Sequence, residues 1–419
     1  MQQIFKNCSL TLEITDIDNE FFKKFDVPAP SLCVQCRHKR LLSFRNEKNL
    51  YKRKCDFSGK NIISIYSPDK PYKVYSQEVW WSDKWNALDY GRDYDFTRPF
   101  FEQFGDLLKK VPRLAIINRN SENSLYTNIC EQNKNCYLLI ESSNNEDSLY
   151  SYWIQKCADC TDLCFCNECT ECYECFSCDN CYETMYSINC QNCADSWFLK
   201  NCIGCKNCFG CINLTQKQYY ILNKPYSAEE YKVKIKKLLS DSLKNTEKTL
   251  ETFQKFCTKF PNKYAEIINS QNCTGNYIKD SRDCINCYHA NEAEHCKDSV
   301  HVWRNSKYVY CSDTVGMNSE LAYECMNTAI NSYNNRFCNR CWTVANSTYC
   351  NECDNSKDLF GCIGLNHKQY CILNKQYTRE EYEELVPRII RHMIKTGQWG
   401  EFFPSGLSPF DYEETAAQD

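Results

Sequence analysis

The sequence predicts a mainly β chain: a two-lobed β-solenoid with ~12-residue coils, a helical insertion, a helical cap and an N-terminal zinc-finger-like domain. Three observations carry that expectation. Cysteine supplies 34 of the 419 residues while glycine supplies only 12. Cysteines and short motifs recur at a spacing of twelve, and one 23-residue segment occurs twice.

Composition narrows the class. The chain is long enough to bury ordinary hydrophobic cores, so its thiols are not the disulfides of a small secreted scaffold. The 50 basic and 54 acidic residues leave a net charge of −4, which argues against a globally basic nucleic-acid binder. No apolar run long enough to span a bilayer occurs, and MQQIFKNCSLTLEITDIDNE lacks a secretory h-region. These features predict a cytoplasmic protein with reduced thiols, where abundant cysteine points to metal before disulfides.

Residues 1–75 read as the zinc-finger-like domain. Cys8, the Cys33-x2-Cys36 knuckle and Cys55 make a complete four-thiol ligand set. SLTLEIT alternates as a strand, DNEFFKKF suits a short helix, and DFSG after Cys55 is a turn signal. Around the knuckle, Arg37, Lys39, Arg40, Arg45, Lys52 and Arg53 interleave with Phe44 and Tyr51. That basic patch suits RNA or ribosome contact through phosphates, against the alternative of a solvated charged face.

Residues 76–118 form an aromatic connector with Trp80, Trp81, Trp85, Phe100, Phe101 and Phe104, and a helix expected over 98–110. Its expected role is to dock the N-terminal domain on the first coils.

Residues 119–226 form the first cysteine-rich lobe. Fifteen cysteines fall between 157 and 211, and all but Cys164 keep one register of three within the period of twelve. Corners that tight need left-handed backbone, which asparagine tolerates best after glycine. Asparagine precedes Cys136, Cys181, Cys190, Cys193, Cys202, Cys208, Cys273 and Cys287, so Asn-Cys reads as corner plus ladder position.

A CxxC in successive coils gives C-x2-C-x8-C-x2-C, four thiols in a near square. Three quartets fit: Cys157, Cys160, Cys169 and Cys172; Cys178, Cys181, Cys190 and Cys193; and Cys338, Cys341, Cys350 and Cys353. Tetrahedral zinc needs sulfurs about 3.8 Å apart, close to the ~4.8 Å between strands. Cys166, Cys169, Cys178 and Cys181 fit in an overlapping register, and Cys202 and Cys205, with Cys208 and Cys211, offer a further site. Cys284, Cys287 and Cys296 need a fourth ligand, for which His295 or Cys273 are candidates. The plain alternative is that ladder cysteines are small hydrophobes filling a narrow core.

Residues 227–262 are a helical insertion, 263–377 the second lobe, and 378–419 a capping helix and tail. FGCINLTQKQYYILNKPYSAEEY at 209–231 matches FGCIGLNHKQYCILNKQYTREEY at 360–382 in 16 positions. Each copy leads into a helix with a capping box, Ser227 with Glu230 or Thr378 with Glu381, and the helices are expected to close the open coil ends.

Six scattered histidines and the absence of P-loop, dinucleotide, GxSxG or HExxH patterns give catalysis no foothold. The expected role is a zinc-stapled scaffold binding a macromolecular partner, away from membranes. An iron–sulfur electron-transfer protein and a metal-storage or thiol-buffer protein are the alternatives.

Finally, VPAPSLCVQCRHKRLLSFRNEKNLYKRKCDFSGKNIISIYSPDKPYKVY, RPFFEQF, the repeated FGC…KQY…LNK…EEY and GEFFPSGLSPFDYEET resemble an uncharacterised cysteine-rich, zinc-finger-like repeat family of candidate-phylum bacteria. The resemblance covers nearly the whole chain and implies a bacterial intracellular context and zinc. It also implies that related chains continue past GEFFP into a further cysteine-rich finger, and it brings no activity with it.

Overall fold

The structure, a computed structural model, describes residues 2–4, 8, 11–170 and 172–418, with side chains described for Cys8 and from Ile14 onward. It is strand-rich, and its contacts divide the chain into two compact units, residues 116–263 and residues 1–115 with 264–419.

In the unit of residues 116–263 the backbone repeats in steps of three. One residue pairs with the residue twelve positions on, as Leu125 does with Tyr137 and Tyr137 with Leu149. The next residue is left-handed, for example Asn135 at φ 55°, Trp153 at 57° and Asn192 at 51°. The third points inward. Twelve residues per coil therefore place four side chains inside each turn, such as Cys157, Cys160, Leu163 and Cys166, all buried in one continuous column. The eight asparagines named above as preceding ladder cysteines are all left-handed, as their sequence pattern predicts.

Left-handed backbone at so many non-glycine residues is costly, and the hydrogen bonding explains why it persists. The paired residue donates forward, as Leu125 N–H does to the Cys136 carbonyl at 3.1 Å. The corner residue donates back, as Leu138 N–H does to the Leu125 carbonyl at 3.2 Å. The inward amide has no backbone partner in this scheme and turns to the interior side chain one coil earlier. Cys136 donates to Ser124 Oγ at 3.2 Å, Cys157 to Asn145 Oδ1 at 2.9 Å and Cys208 to Ser196 Oγ at 3.1 Å. A buried amide without an acceptor would cost about 1–3 kcal/mol, so most interior positions hold small residues that accept (serine, threonine, asparagine and cysteine), with Leu139, Ile154, Leu163 and Leu199 among them.

After these coils, α5 (Ala228–Lys244) and α6 (Thr246–Cys257) begin at the expected Ser227 capping box and break at Asn245. Their Tyr231 and Phe253 pack with Phe198, Phe209, Ile212 and Ile221. These helices pack on outward residues of the last coils. The reason is that Phe198 occupies a left-handed corner, whose side chain faces away from the coil interior.

The second unit contains the other coil stack, which carries parallel pairings from Ile267 to Ile372. Its coils are not uniformly of twelve. Lys307 pairs with Glu320 and Glu320 with Tyr333, steps of thirteen, before Trp342 returns to twelve with Asp354. The extra residue sits where two left-handed residues adjoin, Arg304–Asn305, Met317–Asn318 and Ile330–Asn331, and the amides of Asn305, Asn318 and Asn331 bond in series at 3.3 Å. These are bulges stacked in register.

In the same unit lie α1 (Asp16–Phe25), α2 (Val34–Leu42), a hairpin of Tyr51–Lys54 with Asn61–Ser64, α3 (Gln77–Trp80) and α4 (Phe100–Lys110). The aromatic connector packs on the second coil stack: Phe100 lies 5.2 Å from Tyr349 and 5.5 Å from Phe360, ring centre to ring centre. This corrects its expected place on the first coils. Tyr349 and Phe360 are outward aromatics of the second stack, supplying a large apolar face that the small inward residues do not. The closing helix α7 (Arg379–Lys395) buries Ile389 and Met393 in that same cluster.

Candidate metal centre

Cys33 is the N-cap of α2, and its sulfur accepts the Cys36 amide at 3.4 Å. Three residues on, Cys36 faces the same side of the first turn, and Cys8 Sγ lies 3.5 Å from Cys33 Sγ. The three sulfurs all lie within 4.8 Å of one another, the one such group of His, Cys, Asp or Glu ligand atoms among the described residues. Burial pushes Cys33 up, but the Cys36 and Gln35 amides and the Cys8 and Cys36 thiols outweigh it and lower its pKa. Burial and the neighbouring Cys33 and Cys8 drive Cys36 up to about 11. The Cys33 thiolate forms readily while Cys36 resists, and a divalent cation is the ordinary partner that relieves such crowding.

Cys55, expected as the fourth ligand, stands apart. Its sulfur accepts the Ser58 amide at 3.5 Å and the Ser76 amide at 3.3 Å. Burial raises its pKa, but Ser58, Ser76 and Phe57 pull it down to about 7. The Cys55 sulfur is not in the group of three, and these backbone amides hold it where it stands.

The quartet thiols all face coil interiors. Cys178 touches Cys181 and Cys190, and Cys193 touches Cys181 and Cys190, closing a square. Cys202 and Cys205 extend it by another rung. Cys338, Cys341, Cys350 and Cys353 close a second square. Around Cys157, Cys160, Cys169 and Cys172 the contacts run Cys160–Cys157–Cys169–Cys172. No three ladder sulfurs among the described residues draw mutually within 4.8 Å, so the squares are open frames rather than tetrahedra. Each thiol also bonds the backbone, as Cys181 does to the Asp179 carbonyl at 3.5 Å. Of the two candidate partners for Cys284, Cys273 lies beside it, whereas His295 stacks on Tyr308 at 5.1 Å.

The basic patch is largely spent internally, which corrects its reading as a nucleic-acid surface. Arg37 and Arg40 grip Glu324 at 3.1 and 3.0 Å, and Arg40 also holds Glu401 at 2.8 Å. Arg45 pairs with Glu47 and with Asp313, the latter at 2.6 Å, and Arg53 pairs with Asp56 at 2.9 Å. A guanidinium locked to a buried carboxylate has no free fork for phosphate. Lys52 is exposed, and Lys39, also exposed, lies 4.9 Å from the Tyr412 ring. Sequence reasoning missed Glu324, Asp313 and Glu352, the coil carboxylates that receive the N-terminal domain; Glu352 bonds Tyr66 and Arg340, each at 2.9 Å.

Fold and site together define a strand-rich, cysteine-rich chain with parallel pairing at a spacing of about twelve residues and a three-cysteine group, Cys8, Cys33 and Cys36. No protein-family model matches the chain, and no curated protein matches it. Among the described residues no helix is long and apolar enough to cross a membrane.

Proposed function

We propose that the protein is a metal-stapled β-solenoid scaffold of the reducing cytoplasm, with zinc held by Cys8, Cys33 and Cys36. The observation that carries this reading is the convergence of those three sulfurs at the N-terminus of α2. Helix α2 also carries Arg37 and Arg40, which bind the buried Glu324 of the coil stack. Zinc at its first turn fixes the helix whose next turn is bolted to the coils, so the metal secures the N-terminal domain on its platform. The twelve-residue parallel register supports the solenoid reading, because each coil buries its interior only against its neighbours.

Three thiols favour zinc over an iron–sulfur cluster here, since clusters are held by four cysteines. A macromolecular partner remains part of the proposal, but the internally paired arginines direct it away from RNA and the ribosome.

The test is the zinc content of protein purified without chelators, together with its change in Cys33→Ser. Zinc retained in full by Cys33→Ser would refute the assignment. A second reading, a store for thiophilic metal, is favoured by the contiguous thiols of residues 157–211.

A further inference from the structure

We propose that the inward thiol ladder of residues 157–211 binds a soft monovalent cation in two-coordinate bis-thiolate sites, with copper(I) as the biological ion of that class. The inference deepens the storage reading and is independent of the Cys8 centre.

Geometry comes first. With metal–sulfur bonds of about 2.3 Å, a tetrahedral site needs sulfurs about 3.8 Å apart, whereas a linear site needs about 4.6 Å. Parallel strands space equivalent side chains by about 4.8 Å. Cysteines one coil apart stand in that parallel register and bond equivalent carbonyls, as Cys157 and Cys169 do, so their columns suit the linear span, and no three ladder sulfurs among the described residues lie mutually within 4.8 Å. Soft thiolate donors select copper(I). Thiols one coil apart form five separate pairs: Cys157 with Cys169, Cys160 with Cys172, Cys166 with Cys178, Cys181 with Cys193 and Cys190 with Cys202.

Charge comes second. Each site forms as two thiols and one copper(I) give a bis-thiolate complex and release two protons, leaving one negative charge in the core. The inward amides supply compensation. The Cys169 amide donates to the Cys157 sulfur, that of Cys181 to Cys169 and that of Cys202 to Cys190. Amide donation to sulfur stabilises thiolate and steadies a metal ligand.

Third, folding does not demand these cysteines. The preceding coils have the same geometry around Ser142, Asn145, Ser148, Ser151 and Ile154, with Asn145 and Ser148 accepting the Cys157 and Cys160 amides at 2.9 and 3.4 Å. Serine satisfies the amide equally well, so the concentration of thiols in one contiguous run exceeds what the coil needs.

The experiment is anaerobic titration of the reduced full-length chain with copper(I) against a chromophoric copper(I) chelator, followed by thiolate charge-transfer absorbance, luminescence and circular dichroism. The expected result is uptake of at least five equivalents with the dichroism unchanged. In the variant combining C178S, C181S, C190S and C193S, uptake should fall by three equivalents. If that variant does not fold, X-ray absorption of the copper-loaded wild-type chain decides, with two sulfurs per copper expected. Uptake of no more than one equivalent, uptake only with loss of dichroism, or copper bound through nitrogen or oxygen would overturn the proposal. So would several equivalents of zinc copurifying in the quartets. Cys33→Ser should keep its copper capacity, so failure of the zinc centre and failure of the ladder read out separately.

Discussion

Arg37 and Glu324, 287 residues apart in sequence, meet at 3.1 Å with both side chains buried. Arg40 reaches the other oxygen of the same carboxylate at 3.0 Å, and the Phe402 amide donates to it at 2.7 Å. One coil corner thus gathers the N-terminal helix and the C-terminal segment.

Removing that carboxylate leaves a buried guanidinium without its partner. Glu324→Ala is expected to lower stability by about 3–5 kcal/mol, measured as the midpoint shift in urea unfolding. A change below about 1 kcal/mol would show that the pair is incidental.

The inward amide rule makes a second prediction. The Cys202 amide donates to the Cys190 sulfur, so Cys190→Ser preserves an acceptor and Cys190→Val removes it. Valine should cost about 1–3 kcal/mol more than serine by thermal or urea unfolding. Equal effects would return the ladder to plain apolar packing.

Corner strain is testable at Asn192, which has φ 51° and whose side chain faces solvent. Asn192→Ala should destabilise by about 1 kcal/mol while Asn192→Gly stays near neutral. The comparison uses the same unfolding measurement.

The twelve-residue pairing was legible in the sequence because two signals coincide at many of its steps: cysteine, serine or asparagine inside, and asparagine at the left-handed corner before it. Asn135, Asn192 and Asn201 each mark a corner that the structure contains. The thirteen-residue coils were not legible, since Asn305, Asn318 and Asn331 resemble other corner asparagines and only pairing reveals the insertion. The basic patch misled for a related reason. Sequence shows that Arg37, Arg40 and Arg45 cluster, but their carboxylates, Glu324 and Asp313, lie on distant coils. At the metal centre the Cys33-x2-Cys36 knuckle could be read directly. Cys55 could not be separated from it, because its amide partners Ser58 and Ser76 carry no signal of that role.

His289 gives a pH prediction. Burial, then the nearby His301, lowers its pKa from 6.5 to about 4, with Asp313 opposing. The unfolded chain therefore binds a proton that the folded chain refuses between these values. Stability should fall as pH drops from about 6.5 toward 4, and the His289→Gln variant should lose that part of the slope. Parallel pH–stability curves for variant and wild-type chains would contradict it.

The central claim is that the thiols divide into one three-cysteine zinc centre and an interior ladder that does not need zinc. The most direct measurement is zinc per chain in natively purified wild-type protein beside Cys33→Ser. One zinc is expected in the wild-type chain and none in the variant. Three or more zinc ions per chain, unchanged by Cys33→Ser, would contradict it and return the metal to the quartets.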